Sequence, residues 1–448
     1  MRKSEISRRK FLGSAATVGA AGIVIPSLLT SCAGESKKVV PVPVSPDKAP
    51  DGPVLKAGVI GCGDRGSGAA LQFVNAGPNL KITALGDVLK DRLDSFREKI
   101  KKEANQEVPD ENCFVGFDAF QKVIDSGVDV VILATPPAFR PDHFAAAVQA
   151  RKHVFMEKPV CVDPVGARSI MATAKKAEGL ELCVVTGTQR RHKRDYIATW
   201  AKVQSGAIGD IISAECYWNM GQLWYNEPRP EWSEMEYMIR DWVNWTWLSG
   251  DHIVEQHVHN IDVINWFTGL HPVKAVSFGS RQRRRTGDQF DNFSTDFIYE
   301  NGMHMHSMCR QINGCESNVT EIIHGSDGYV LTDNGGRCTI YDKKGVIKWQ
   351  FEEYLKDEKG NPTTQVKVNP YDQEHIDLVT AIRTGKPVNE AEATAVSTLT
   401  AIMGRISAYT GKMVTWDEMM NSDLKLGPKV FELGKVDIPK EIPVPGVV

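Results

Sequence analysis

A glycine-rich turn between a predicted strand and a predicted helix is the feature that most constrains the fold of this chain. The apolar run Leu55 to Ile60 predicts a buried parallel strand, and the turn Gly61-Cys62-Gly63-Asp64-Arg65-Gly66 follows it at once. Ser67 to Asn75 then has the pattern of a helix. A strand, a glycine turn and a helix in this order open the doubly wound sheets that bind dinucleotides.

The residues of the turn are candidate cofactor ligands. Gly61 permits the tight turn, Gly63 lets the backbone approach a pyrophosphate, and Gly66 allows the helix to pack closely. The helix N-terminus, with Asp64 and Arg65 beside it, presents the positive end of its dipole to phosphates. The turn alone is a weak signal, and it gains weight only from the residues that come after it in the chain.

An acidic residue after the second strand indicates which dinucleotide is bound. The predicted strand Lys81 to Leu85 ends in Gly86-Asp87, about 20 residues beyond the glycine turn. The Asp87 carboxylate can accept hydrogen bonds from both ribose hydroxyls and would repel a 2′-phosphate. NAD is therefore preferred to NADP, although Arg65 and Arg92 are nearby cations that weaken the preference.

Strands and helices continue to alternate beyond this point. Helices are predicted at Phe117 to Ser126 and His143 to Ala150, with a strand between them at Val128 to Thr135. Further strands are predicted at Ile211 to Trp218, Val273 to Gly279, Asn292 to Tyr299, Gly302 to Arg310 and Val319 to His324. The predicted fold class is α/β: a Rossmann dinucleotide-binding domain plus an α+β domain with an open, mainly antiparallel sheet.

The segment ATPPAFRPDHFAAAVQARKHVFMEKP, together with the glycine turn, closely resembles the Gfo/Idh/MocA oxidoreductases, the superfamily of glucose-fructose oxidoreductase and inositol dehydrogenase. The resemblance runs from about Leu55 to Trp416. It implies that Thr135, Pro136 and His143 belong to the loop on the nicotinamide side.

The tripeptide Glu157-Lys158-Pro159 is the family's hallmark, and the resemblance implies a role for each member. Lys158 would hydrogen-bond the substrate hydroxyl and the cofactor ribose. Its ammonium group would stabilise the alkoxide that develops as hydride leaves carbon. Glu157 and Pro159, which takes a cis bond in the family, would fix its direction.

The segment WTWLSGDHIVEQHVHNIDVINWFTG carries the catalytic candidates of the second half. By resemblance, His259 is the general base that takes the substrate proton, and Glu255, one helical turn earlier, orients or charges it. Asp262 is either a substrate-side partner or a helix charge. The family usually has Asp where Glu255 stands and Gly where His257 stands.

Other substrate-binding candidates come from the resemblance and from composition. The resemblance adds Arg190, Tyr196 and Arg310. Trp224 and Tyr225 lie in a tryptophan-rich region, and aromatic faces suit sugar rings. The expected substrate is a sugar or glycoside. No metal is expected, because the spacing of His252, His257 and His259 is not a known zinc pattern.

The N-terminus predicts an export signal. The twin-arginine motif Ser7-Arg8-Arg9-Lys10-Phe11-Leu12 precedes a weakly hydrophobic run to Leu29, and Leu29-Thr30-Ser31-Cys32 resembles a lipobox with Cys32 as the acylated residue. We expect twin-arginine export to the periplasmic face of the membrane, with attachment by the lipid alone. The predicted domains are a signal at 1–32, a linker at 33–53, the NAD-binding domain at 54–185 and the substrate-binding domain at 186–448.

Charge and cysteine usage exclude other classes of protein. The net charge of −3 gives no reason to expect a nucleic-acid partner, and the basic run Arg283-Arg284-Arg285 is typical of a solvated turn. The cysteines beyond Cys32 are scattered singly, which suggests neither a zinc site nor a disulfide framework. The family's open sheet commonly pairs between subunits, so a homo-oligomer is expected.

The favoured function is an exported NAD(P)-dependent oxidoreductase that acts on a sugar or glycoside by hydride transfer. Beyond the inner membrane there is no NAD pool, so we expect the cofactor to be carried in, tightly bound and recycled internally. One alternative is a redox-neutral NAD-dependent glycosidase or lyase with a transient 3-keto intermediate. Another is a catalytically silent surface glycan-binding protein, which ranks last because the glycine turn, Lys158 and His259 are all intact.

Overall fold

The computed structural model describes residues 39–333, 336–352, 354–356, 361–365 and 369–447. The predicted signal and its Cys32 lie outside these residues. The described chain is organised by two large sheets and a separate two-stranded hairpin.

The first sheet is parallel and has six strands in the order β3-β2-β1-β4-β5-β6. Its strands are β1 Leu55–Ile60, β2 Leu80–Asp87, β3 Cys113–Val115, β4 Val130–Leu133, β5 His153–Met156 and β6 Val184–Thr186. The strand order reverses between β1 and β4, which opens a crevice at the carboxyl ends of the strands. This crevice is where a doubly wound sheet places its ligand.

Helices cover both faces of this sheet, so its central strands are buried on both sides. The helices that connect the strands are α1 Asp64–Asn75, α2 Lys90–Ala104, α3 Ala119–Asp125, α4 Arg140–Gln149 and α5 Pro164–Gly179. A helix from much later in the chain, α11 Pro370–Thr384, returns to this sheet and packs its Ile376 and Val379 into the same core as β1 and α1.

The second sheet has nine strands in the order β14-β13-β12-β11-β7-β10-β9-β8-β17. Its strands are β7 Ile211–Met220, β8 Pro272–Ser280, β9 Asn292–Tyr299, β10 His304–Gln311, β11 Asn318–Gly325, β12 Gly328–Thr332, β13 Cys338–Asp342, β14 Ile347–Gln350 and β17 Val414–Thr415. Only β7 and β10 pair in parallel. The hairpin strands are β15 Tyr354–Lys356 and β16 Pro362–Gln365. The predicted fold class is confirmed.

The other helices are α6 Arg194–Gln204, α7 Glu234–Arg240, α8 Thr246–Ser249, α9 His252–Glu255, α10 Val258–Thr268, α12 Ala391–Thr410 and α13 Trp416–Asn421. Single 3-10 turns lie at Asp110–Asn112, Pro137–Phe139, Gln189–His192 and Trp242–Asn244.

One face of the second sheet is covered by helices and the other is open. Residues of β9 alternate strictly between buried and half-buried positions, and the buried ones share one core with α10 and α12. On the open face the Phe278 side chain is 77% exposed.

Part of the predicted linker lies along the folded body. The Ala49 amide donates to the Ala76 carbonyl oxygen at 2.8 Å, and the Val40 amide donates to Ser205 Oγ at 2.9 Å. Ala49 is buried. Residues 39–53 therefore have specific contacts with α1 and with the end of α6.

Within the basic run, Arg283 and Arg285 are exposed as expected of a solvated turn, whereas Arg284 differs. Arg284 is buried, and its guanidinium donates to Asn244 Oδ1 at 3.0 Å and to Gln311 Oε1 at 2.7 Å. Because these acceptors are far from Arg284 in the sequence, its hydrogen bonds join separate segments of the second half, and Arg284 has a structural role.

Two further observations concern the described part of the chain. None of its helices is both long and apolar enough to cross a bilayer. Its cysteine thiols are all free.

Candidate active site

A groove opens at the carboxyl edge of the first sheet, where the strand order reverses. It is lined by Ile60, Gly61, Gly63, Gly86, Asp87, Val88, Arg92, Gly116, Phe117, Ala119, Phe120, Ala134, Thr135, Pro136, Phe139, His143, Ile239 and Trp242. The last two come from α7 and the turn after it, so both halves of the chain contribute to the groove.

The three glycines of the turn occupy positions that exclude larger side chains or leave the groove open. Gly61 has φ +95°, and a Cβ there would lie 2.6 Å from the Ala134 carbonyl carbon. A Cβ on Gly66 would lie 1.9 Å from the Gly61 carbonyl oxygen. A Cβ on Gly63 would have Arg92 Nη1 as its nearest neighbour, at 3.2 Å. Only backbone atoms therefore form the floor of the groove at Gly63.

Asp87 lies where the sequence predicts a ribose ligand. Its Oδ2 accepts from the Cys62 amide at 2.7 Å and its Oδ1 from the Leu89 amide at 2.8 Å, which fixes the carboxyl group at the groove wall. Burial raises the pKa of Asp87, against the lowering effect of the two amides. Arg92 lines the same groove, so a carboxyl group and a guanidinium cation both border it where the sequence predicts the ribose contact.

Two buried polar atoms in the groove wall have no partner among the described residues, namely Thr135 Oγ1 and His143 Nδ1. The His143 ring stacks on Phe120 with a centroid separation of 4.3 Å. Burial lowers the pKa of His143 to about 3, so its ring is neutral at physiological pH. Unpaired polar atoms, a bare glycine floor and aromatic walls fit a dinucleotide, which Gly61, Gly63, Asp87, Thr135 and His143 would hold.

Arg65 is fixed over the turn by two acidic residues. Its Nε donates to Glu157 Oε1, and its Nη2 lies 3.7 Å from Glu374 Oε2. Its guanidinium lies 5.0 Å from the centre of the Tyr371 ring. Asp64 is the first residue of α1 and adds an acidic side chain to its first turn. Sequence reasoning missed Glu374, whose position on α11 is far from the turn in the chain.

Lys158 follows β5 at the carboxyl edge of the sheet, and the Lys158–Pro159 peptide is cis. Its Nζ donates to the Glu255 carbonyl oxygen at 2.6 Å and to Glu255 Oε1 at 2.9 Å. Glu157 Oε2 accepts from the Lys158 amide at 3.2 Å. The lysine of the first half and the acid of the second half therefore form one buried ion pair beside the groove.

The expected pairing of Glu255 with His259 is not formed. Helix α9 ends at Glu255 and α10 begins at Val258, so the two residues do not share one continuous helix. The Glu255 carboxylate contacts Lys158 and the Gln256 side-chain amide instead. Glu255 thus orients the lysine, and its effect on His259 is indirect.

His259 is buried and its ring stacks on Trp218 at a centroid distance of 5.6 Å. Burial lowers the pKa of His259 well below its ordinary value, and the positive charges of Lys158 and Arg190 lower it further. Its Nδ1 has no hydrogen-bond partner among the described residues. The imidazole is therefore neutral, and the same burial and charges make it a weaker base than a free histidine.

Arg190 and Tyr196 surround a buried acid that sequence reasoning missed. Arg190 Nη1 lies 2.9 Å from Glu321 Oε1, and the Tyr196 hydroxyl donates to Glu321 Oε2 at 3.0 Å. The Arg190 guanidinium also lies 5.4 Å from the Trp218 ring centre. Tyr196 is only 1% exposed and belongs to the core, so it supports Arg190 and is not open to a substrate. An acidic residue at a buried position of β11 is the one signal that could have indicated Glu321.

Asp262 and Arg310 both contact other groups of the protein. Asp262 accepts a two-pronged hydrogen bond from Arg191 at 2.8 and 2.9 Å and is buried, which makes it a structural ion pair. Arg310 alternates on β10 with the buried Cys309, so its side chain points to the open face of the sheet. There it donates to the Glu316 carbonyl oxygen at 2.6 Å.

The two aromatic candidates have different surroundings. Trp224 is 45% exposed and packs edge-on against Trp242, which lines the groove. The Tyr225 hydroxyl accepts from Arg285 Nη1 at 2.6 Å. Trp224 therefore lies near the mouth of the groove, whereas Tyr225 is engaged by a surface arginine.

The neighbouring histidines of the second half have other partners. His252 Nδ1 lies 2.9 Å from Asp251 Oδ1, and His257 Nε2 lies 2.7 Å from Ser307 Oγ. No group of three or more metal-ligating side chains occurs within the part of the chain that the structure describes.

Family models identify both halves. The model of the Gfo/Idh/MocA oxidoreductase family with an NAD-binding Rossmann fold matches residues 55–185, and the model of a Gfo/Idh/MocA C-terminal domain matches residues 196–331. Together the two models cover more than half of the chain. The chain belongs to the Gfo/Idh/MocA oxidoreductase family. The first half of this family member is accordingly an NAD-binding domain.

Curated relatives act on inositols or carry a glycosidase name. The chain is 27% identical over 53% of its length to an inositol 2-dehydrogenase of Acidothermus cellulolyticus, and 25% identical over 46% to a glycosyl hydrolase family 109 protein of Streptomyces coelicolor. These alignments span 60% and 44% of the relatives, so about half of their length. A scyllo-inositol 2-dehydrogenase (NADP(+)) of Bacillus subtilis is 28% identical over 66% of this chain and 70% of its own.

Solved structures share the fold. An aldose-aldose oxidoreductase of Caulobacter crescentus superimposes with a TM-score of 0.60 at 17% identity, covering 81% of this chain and 99% of that one. Scyllo-inositol dehydrogenase of Lactobacillus casei, solved with NAD(H) and scyllo-inositol, gives a TM-score of 0.59 at 21% identity over the same shares. Relatives named for NAD(+) and for NADP(+) both occur, which leaves the choice between the two open for this family member.

Proposed function

We propose that this Gfo/Idh/MocA protein is an exported NAD(P)-dependent oxidoreductase that acts on a sugar, a related polyol or a glycoside by hydride transfer. The observation that carries the proposal is the buried pair of Lys158 and Glu255 beside the groove, 2.9 Å apart and next to a neutral His259. A cation for a developing alkoxide and a base for its proton are the two groups that alcohol oxidation requires.

Lys158 is held in a way that leaves it able to bind a substrate oxygen. A lysine ammonium has three hydrogens, and the Glu255 carbonyl and carboxylate take two of them. The third can be donated to a substrate hydroxyl, where the positive charge stabilises the alkoxide. NAD, when bound, supplies the hydride acceptor for this oxidation.

His259 is the proposed general base. Its lowered pKa keeps the imidazole unprotonated at neutral pH, so a ring nitrogen is available for the hydroxyl proton, although the same shift weakens it as a base. Trp218 stacks on the ring and Arg190 lies over Trp218, which gives the base a fixed orientation. Names of relatives that act on inositols support a ring of several hydroxyl groups as substrate.

We propose export by the twin-arginine route, with Cys32 as the lipid attachment site on the periplasmic face of the membrane. Support comes from the sequence motifs alone, Arg8-Arg9 and the lipobox-like residues before Cys32. An enzyme in that compartment cannot exchange its cofactor with a cytoplasmic pool. NAD would therefore be tightly held and returned to its starting state within each cycle.

A redox-neutral glycosidase or lyase with a transient 3-keto intermediate is the second candidate. The similarity to a family 109 glycosyl hydrolase protein favours it, because internal cofactor recycling fits a reaction with no net oxidation. Lys158 and His259 would serve the same hydride step. No observation favours a catalytically silent glycan-binding protein, since the glycine turn, Lys158 and His259 are all in place.

The test begins with the purified full chain, without added cofactor. Denaturation and chromatography of the released nucleotide should show close to one NAD per chain that survives dialysis. Parallel native samples with aldoses, inositols and nitrophenyl glycosides are followed for NADH absorbance and for free nitrophenol. Reduced cofactor that a second sugar re-oxidises supports the oxidoreductase, whereas nitrophenol without NADH accumulation supports the glycosidase. A chain that binds no NAD(P) would contradict both.

A further inference from the structure

The outer side of the dinucleotide groove is closed by contacts between the nucleotide-binding half and residues from later in the chain. We propose that Asp91, Arg240, Trp242, Phe431 and Val436 form a retaining wall that keeps the dinucleotide in the groove. This inference rests on the proposed function, because it explains how an exported enzyme would hold a cofactor that it cannot replace.

One arginine of helix α7 forms an ion pair with the nucleotide-binding half. Arg240 donates from Nη1 and Nη2 to the two carboxylate oxygens of Asp91 on α2, both at 2.9 Å, and Glu236 Oε1 accepts from its Nε at 2.9 Å. Two neighbours of this ion pair line the groove: Arg92, which follows Asp91 on α2, and Ile239, which precedes Arg240 on α7. The ion pair thus joins the two sides of the groove at its ribose end, near Asp87.

The C-terminal segment supplies the second part of the wall. The Phe431 ring lies 6.1 Å from the Phe117 ring and 5.3 Å from the Phe139 ring, measured between centroids. Phe117 and Phe139 both line the groove. Phe431 is therefore the outer layer behind two groove residues, with the Trp247 ring stacked on it at 6.4 Å.

The segment that carries Phe431 is fixed at both ends. The Leu426 amide donates to Asp163 Oδ2 at 2.8 Å, and the Val436 amide donates to Glu234 Oε2 at 2.8 Å. Val436 is buried in one apolar cluster with Leu89 and Phe139 of the nucleotide-binding half and with side chains of α7. The segment consequently runs from the start of α5 to α7 across the outer side of the groove.

Release of a dinucleotide through this side requires the two halves of the apolar cluster to separate. Separation exposes buried apolar surface, which water disfavours, and breaks the ion pair of Arg240 with Asp91. We therefore expect the wall to act on the dissociation rate more than on the association rate, as most changes in related complexes do.

The experiment measures how fast the full chain releases radiolabelled NAD during a chase with unlabelled NAD. We expect Arg240→Ala to release NAD about threefold faster, as an exposed ion pair allows, and Phe431→Ala about tenfold faster. Asp91→Arg combined with Arg240→Asp should recover most of the wild-type rate. Lys90→Gln is the matched control, because it removes an ion pair with Asp94 on the same helix that does not cross the groove.

Thermal unfolding of each variant without NAD verifies that the chain is folded. Asp91→Ala removes the other partner of the ion pair and serves as a second test of it. If wild-type NAD is retained but all variants release it at the wild-type rate, the wall is refuted and the proposed function stands. If the wild-type chain binds NAD but exchanges it within seconds, the wall and the tightly held cofactor are both refuted. If it binds no dinucleotide, the proposed function fails as well.

Discussion

At the residue scale, the site depends on one contact between the two halves of the chain. Lys158 follows a strand of the first sheet, and Glu255 ends a short helix of the second half. Their ion pair is nearly buried, so each charge needs the other to offset its desolvation. Replacement of Glu255 by the family's usual Asp would shorten the acid by one methylene and change how the lysine is held.

Replacement of Lys158 separates chemistry from cofactor binding. We expect Lys158→Met to lower kcat by about 100- to 1,000-fold, the loss typical of one charge-stabilising donor, with NAD still bound. The measurements are turnover of the best substrate from the panel and the NAD content of the purified variant. Lys152→Met is the control, since Lys152 precedes β5 at the opposite edge of the sheet. Unchanged kcat in Lys158→Met would contradict the proposed role.

At the element scale, the glycine turn fixes where α1 begins relative to β1. Gly61 requires a positive φ, and Gly66 lies against the Gly61 carbonyl oxygen, so the turn and the first helical turn share one close contact. The break between α9 and α10 separates Glu255 from His259, and the Glu255 carboxylate contacts Lys158 instead. The first arrangement acts on the site through the backbone and the second through a side chain.

A methyl group on Gly66 should disrupt this contact. With its Cβ only 1.9 Å from a carbonyl oxygen, Gly66→Ala must shift α1 away from β1. We expect a loss of about 2–4 kcal/mol in the free energy of unfolding and loss of NAD binding. Gly179→Ala is the control, because nothing lies within 4 Å of its Cβ position at the end of α5. Urea unfolding and NAD titration of both variants would decide, and equal stabilities would contradict the packing argument.

At the scale of the whole molecule, several buried histidines are kept neutral by the fold. Burial lowers the pKa of His143 and of His257 to about 3, and lowers that of His259 and His375 well below the ordinary value. The unfolded chain binds protons at these side chains near pH 6.5, whereas the native chain does not. Acid therefore favours the unfolded state.

The free energy of unfolding should accordingly fall as the pH drops below 6.5. For His143 alone we expect a loss of about 1–2 kcal/mol between pH 7 and pH 5, because only the unfolded state gains the proton. His143→Gln should show a correspondingly smaller loss in urea unfolding at the two pH values. His306→Gln, at an exposed position of β10, is the control and should follow the wild-type chain. Identical pH dependence in all three would contradict the assignment.

The sequence by itself determined the fold class, the glycine turn and the bounds of several strands and helices. The predicted strand Asn292 to Tyr299 agrees in both bounds with β9, because a sheet with one covered face imposes strict alternation of apolar residues. The helix predicted at His143 to Ala150 ends within one residue of α4, because its buried residues recur with a helical period. Periodic patterns of this kind can be predicted because they depend only on residues that are close together in the sequence.

Only the tertiary structure decided the partners of the polar side chains. Glu255 contacts Lys158 and not His259, Tyr196 binds the unpredicted Glu321, and Arg284 is buried instead of solvated. Phe431, about 290 residues later in the sequence, packs behind the groove residue Phe139. A hydrogen bond or ring contact between residues far apart in sequence leaves no periodic signal, because it is set by how whole elements pack.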